Sequence, residues 1–86
     1  MTVSSSQRFK KMFKKHPVWV QKKFYDRISL FSINPFHPLL NNHSLGGEWR
    51  GYKSINITGD IRVIFKHRTQ NEVDLIAIGT HSELYS

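Results

Sequence analysis

The spacing of apolar residues changes once along this chain, and the change sets most of its architecture. Val20, Phe24, Ile28 and Phe31 recur at the period of one helix face. Phe9, Met12 and Phe13 form a shorter stripe of the same kind before them. Ser4, Ser5 and Ser6 stand where a hydroxyl can cap the first helix. His16-Pro17 breaks and restarts the pattern, because proline is tolerated in the first helical turn. Asn34-Pro35-Phe36-His37-Pro38 ends the second helix. Residues 41–47 are a loop by composition, and from Trp49 the pattern turns extended. Strands are predicted at about 50–57, 60–66 and 73–79, with turns at Thr58-Gly59 and at Arg68-Thr69-Gln70-Asn71. Ile61, Val63 and Phe65 alternate with Arg62, Ile64 and Lys66, and Val73, Leu75 and Ala77 with Asp74, Ile76 and Ile78. Both faces of the last strand are apolar, which predicts an interior place in the sheet. Thr2-Val3-Ser4 suits a short edge strand.

The order is therefore (β)ααβββ, an α+β fold in a single domain over residues 1–86. An N-terminal helix hairpin is expected to pack on one face of a small curved antiparallel sheet, leaving the other face for a ligand. A chain of 86 residues has a small core, and its six phenylalanines and two tryptophans supply much of it. There is no cysteine, which removes disulfides, thiolate metal sites and a thiol nucleophile together. That usage fits a reducing cytoplasm. Neither a signal-like segment nor an apolar run of transmembrane length occurs, so a cytoplasmic location with no membrane partner is expected.

The net charge of +7 is unevenly placed. Arg8, Lys10, Lys11, Lys14, Lys15, Lys22, Lys23 and Arg27 all precede residue 28 and face one acid there, Asp26, whereas bases and acids balance in the remainder. Such concentration points to an anionic partner; the alternative is a solvated helix face. Arg50 and Lys53 are further candidates for contact with RNA phosphate, beside Lys10, Lys11, Lys14 and Lys15.

The second half carries the residue types that cut RNA without a metal. Attack by a ribose 2′-hydroxyl needs a base, an acid and a positive group on the phosphate. Histidine titrates near neutrality and serves either proton role. Arginine offers a planar, permanently charged fork. His81 follows the last strand after Gly79-Thr80, where a sheet orients it at an open rim; the alternative is a surface histidine in a tail. His43 lies in a polar loop. Asp60 and Arg62 project to the same side of a strand and either pair with each other or divide the work: Arg62 on phosphate, Asp60 orienting a histidine or taking a proton. Tyr85 either stacks on a base or caps the core edge; Trp49 and Tyr52 either stack on bases or pack in the core, and core is the reading favoured for Trp49. Asn56 can hydrogen-bond RNA. The five histidines lack metal-ligand spacing, so no metal is expected.

Four stretches together carry a family resemblance: Ser6-x-Arg8-Phe9-Lys10-Lys11, His43-x-Leu45-x-Gly47-x-Trp49-x-Gly51-Tyr52, Gly59-Asp60-x-Arg62-Val63-Ile64-Phe65 and Ile78-Gly79-Thr80-His81-x-x-Leu84-Tyr85. In this order they resemble the YafQ branch of the RelE/ParE toxin superfamily. The resemblance implies a bacterial type II toxin, a ribosome-dependent endoribonuclease that cuts messenger RNA in the decoding site. It implies a cognate antitoxin and no cofactor. It places catalysis at His43, Asp60 and His81, with Tyr85 as a family aromatic and Arg62 on the scissile phosphate. This chain departs from close YafQ relatives at Asn56, where they carry a further histidine, at Ser54, where they carry an acid, and at Ile61, often aromatic. Its acid-base set is thinner as a result. A ParE-like toxin that contacts DNA gyrase without cutting RNA is the main rival, and His43 and His81 argue against it. A catalytically weakened ribosome-binding relative is the other.

Overall fold

A computed structural model describes residues 1–85. Strand β1 (Thr2–Ser5) leads into helices α1 (Gln7–Lys14) and α2 (Val18–Ile33). Strands β2 (His43–Ser44), β3 (Lys53–Asn56), β4 (Ile61–Thr69) and β5 (Glu72–Thr80) follow, and helix α3 (His81–Tyr85) closes the chain. Short 3₁₀ turns at Pro38–Leu40 and Gly47–Trp49 shape the connection from α2 to β3.

The sheet runs β1-β5-β4-β3-β2, so β5 is interior as its two apolar faces predict. The sheet is mixed rather than wholly antiparallel, because β1 lies parallel to β5 while the other pairings are antiparallel. No tight turn joins β1 to β5, so no hairpin dictates its direction. The chain instead crosses the sheet through α1 and α2 before the antiparallel strands begin.

Local chemistry explains the helix ends. Ser6 Oγ accepts a hydrogen bond from Phe9 N at 3.0 Å and caps α1. Pro17 precedes α2, and Asn34 terminates it. Phe9 and Phe13 of α1 meet Phe24 of α2 with ring centroids 5.4 and 5.1 Å apart, and Phe31 packs edge-on against Phe65 of β4 at 5.0 Å. These rings and Ile55, Val63, Val73, Leu75 and Ile78 form the main core.

The strict alternation expected along β5 fails at one point. Ile64 pairs with Ala77 but Phe65 pairs with Leu75, leaving Ile76 as an extra residue. The bulge reverses the phase of the strand. Ile78 rather than Ala77 joins Val73 and Leu75 under the helices, and Ala77 turns to the opposite face. That opposite face is not left bare for a ligand, as the sequence reading expected. Ile64, Ala77 and Leu84 make a second small core there, flanked by Leu45, Trp49, Tyr52 and Tyr85. Trp49 Nε1 donates to the Leu84 carbonyl at 2.9 Å and ties the loop before β3 to α3. No helix of the described residues is long and apolar enough to cross a membrane.

Candidate functional site

At the edge of the second core is an open cleft of about 370 Å³, lined by Asn41, His43, Leu45, Gly46, Arg62, His81 and Tyr85. Cross-strand register brings its polar members together. His43 pairs with Ser54, Asn56 pairs with Arg62, and Arg62 pairs with Gly79, two residues before His81. Side chains opposite one another in register share a face, so β2, β4 and the helix that follows β5 supply one rim, with β3 lying between β2 and β4.

His43 is exposed but held. Its Nδ1 lies 2.8 Å from the Asn41 carbonyl. A carbonyl only accepts, so Nδ1 carries the proton and a neutral ring presents Nε2 as a free base. Asn41 adopts a left-handed backbone, φ 46°, a conformation that asparagine tolerates better than most residues. The pair His43–Ser44 forms a two-residue strand where a plain loop was expected.

Arg62 is half-buried on β4. Its Nη1 donates to the carbonyls of Thr58 at 3.3 Å and Gly59 at 3.1 Å. The turn thus grips one edge of the guanidinium, and the remaining N–H groups can meet an anion. Among the described residues Arg62 makes no ion pair with Asp60. Asp60 is exposed in the same turn and lines a neighbouring groove of about 520 Å³ rather than the histidine cleft. Asn56 stands opposite Arg62, and its Oδ1 is inaccessible and unpartnered among the described residues.

His81 is the first residue of α3, not part of an irregular tail. The helix start is locked by a reciprocal pair of bonds: Thr80 N donates to Glu83 Oε1 at 2.8 Å, and Glu83 N donates to Thr80 Oγ1 at 3.1 Å. This is a capping box, which satisfies two otherwise orphaned backbone donors. The Thr80 backbone N–H, then the Thr80 hydroxyl, hold the exposed Glu83 carboxyl below its ordinary value; slight desolvation opposes them, and the charge of His16 adds a little. Thr80-His81-Ser82-Glu83 carries the sequence signature of such a box, a signal that strand-based reading of this segment passes over. One turn on, the Tyr85 ring lies 4.6 Å from that of His81, tilted by 53°.

The lysines lie elsewhere. Lys10, Lys11 and Lys14 are exposed on α1, and Lys15 is exposed just after it. Arg50 is exposed beyond the 3₁₀ turn, and Lys53 pairs with Phe65, on the face of β3 opposite to Ser54 and Asn56. None of these six lines the histidine cleft.

A five-stranded mixed sheet with a helix pair on one face is a fold shared with solved bacterial toxins. The structure of YafQ from E. coli matches with a TM-score of 0.77, over 98% of this chain and 97% of that one, at 24% identity. The E. coli DinJ-YafQ toxin-antitoxin complex matches with a TM-score of 0.75 over 98% and 96%, also at 24% identity. A candidate YafQ toxin of Haemophilus influenzae is 37% identical over 51 residues, a match that spans 49% of this chain and about half (50%) of that protein. The family described as the bacterial toxin of type II toxin-antitoxin systems, YafQ, matches residues 1–86, and the chain belongs to it.

Proposed function

We propose that this protein is a ribosome-dependent endoribonuclease that cuts messenger RNA by metal-independent acid-base chemistry. The observation that carries the reading is the convergence of His43, Arg62, His81 and Tyr85 on one cleft. His43 Nε2 takes the proton of a ribose 2′-hydroxyl. The resulting oxygen attacks the adjacent phosphorus, and the bond to the 5′-oxygen breaks. His81, protonated, delivers its proton to that leaving oxygen. Arg62 binds a non-bridging phosphate oxygen with the N–H groups that the turn leaves free, and stabilises the added charge. Tyr85 backs the His81 ring and limits its rotation. Asn56, whose Oδ1 is inaccessible, reaches RNA beside Arg62 only by donation from its amide nitrogen. Asp60, on the neighbouring groove, takes no proton in this scheme.

The exposed lysines of α1 hold ribosomal RNA and the message through phosphate contacts. The partner that restrains the toxin is a cognate antitoxin, as DinJ is found with YafQ in the E. coli complex.

The products test the chemistry. Cleavage of a ribosome-bound message should leave a 2′,3′-cyclic phosphate and a 5′-hydroxyl. A single 2′-deoxy substitution at the cut nucleotide should block it. His81→Ala should lower the rate by roughly 10²–10⁴ with the fold intact, the usual worth of a positioned proton donor. Cleavage of the 2′-deoxy message, or a folded His81→Ala variant of full activity, would overturn the scheme.

A further inference from the structure

The groove of about 520 Å³ beside the histidine cleft has its own chemistry. The two sites share a wall: Thr58, Asp60, Thr80 and Glu83 line the groove, while Arg62 and His81, from the same two segments, line the cleft. The groove is apolar at Met12, Val20 and Ile61. Trp19, at its side, is 64% exposed although it is the largest side chain on α2. Lys15, which also lines the groove, is exposed and continues the basic surface of α1. The Asp60 carboxylate has no hydrogen-bond or ion-pair partner among the described residues, whereas that of Glu83 is engaged by Thr80.

These groups select against some ligands. Two carboxylates over an apolar surface repel a phosphate. An aliphatic chain would leave Asp60 unanswered. A flat, uncharged ring with N–H groups on its edge answers each feature: its face stacks on the indole, its body covers apolar carbon and its edge donates to the carboxylate. We propose that the groove binds one nucleobase of the RNA strand whose phosphate lies at Arg62, and that Asp60 favours bases with an exocyclic amino group over uracil. Lys15 meets the phosphate on the far side of that nucleotide. The assignment rests on the nuclease reading for the presence of the strand. It gives Asp60 a selecting role and Trp19 a binding role.

Binding can be measured apart from cleavage. Fluorescence anisotropy would follow labelled 2′-O-methyl octamers of cytidine, adenosine or uridine, which lack the attacking hydroxyl, at low salt. Wild-type protein should bind the cytidine and adenosine octamers about tenfold more tightly than the uridine one, the scale of a good base-edge contact. Trp19→Ala should weaken all three by roughly five- to a hundredfold, the scale of a missing base stack. Asp60→Asn should bring the three affinities within about twofold. Circular dichroism would confirm that the two variants, both at exposed positions, stay folded. Unchanged binding by Trp19→Ala, or no binding of any octamer by the wild type, would overturn the proposal. So would a Trp19→Ala variant that keeps RNA affinity and no longer binds its antitoxin, which would give the groove to a protein partner. The expected binding pattern in a protein that cuts no message would leave the groove assignment standing and sink the nuclease reading instead.

Discussion

Ser54 is fully buried on β3, and its hydroxyl has no partner among the described residues. A buried unsatisfied hydroxyl costs free energy that a methyl group does not. Ser54→Ala should therefore be neutral or stabilising by about 1 kcal/mol, read as the midpoint of denaturant unfolding at unchanged slope. A destabilisation larger than that would mean the hydroxyl is satisfied through bound water. At this scale the sequence was partly legible. Ser6 could be read as a cap because its chemistry is local. The tautomer of His43 could not, since it depends on a carbonyl presented by a left-handed Asn41. Nor could the hold on Arg62, which comes from backbone oxygens of a turn and leaves no mark in residue identity. Asp60 and Arg62 do share a strand-end segment, but they serve different hollows, a separation that the period of two does not foresee.

Among the elements, α3 has most effect on the site. A Cβ at Gly79 would sit 3.1 Å from Glu83 Oε1 and 3.4 Å from Glu83 Cβ. Gly79→Ala should push Glu83 off its cap and cost about 1 kcal/mol, the typical worth of a helix cap. Faster amide exchange confined to α3, with lower cleavage, is the expected signature; unaltered exchange would show that Glu83 yields without giving up its bonds. The pH dependence has a definite sign. Glu83 has a folded-state pKa below its ordinary value, so its contribution is complete above that ordinary value. It fades as pH falls through the depressed one. Protection of α3 should accordingly weaken in acid, and Glu83→Gln, which keeps the box but not the charge, should flatten that dependence. The long elements were legible because α2 and β4 repeat their period several times. Two residues at β2 and five at α3 are too few for periodicity to show. The bulge at Ile76 was hidden for another reason: both faces of β5 are apolar, so a reversal of phase changes no pattern.

Over the whole molecule, charge and chemistry are segregated. The basic excess sits on the first 27 residues, while the cleft is built from residue 41 onward. Replacing Lys10, Lys11, Lys14 and Lys15 by alanine should weaken ribosome binding and flatten its salt dependence. Removal of one lysine–phosphate pair should lower the log–log slope by roughly 0.7–0.9. An unchanged slope would return these side chains to the role of a solvated helix face. The mixed sheet has a consequence of another kind, in time rather than space. β1 pairs with β5, and the Ser6 hydroxyl reaches the Ile76 carbonyl across 70 residues. Two helices and three strands separate β1 from β5 along the chain. Pairings so distant in sequence carry a large loop-closure cost, so the β1 edge of the sheet is expected to close late in folding, after the hairpin of β4 and β5.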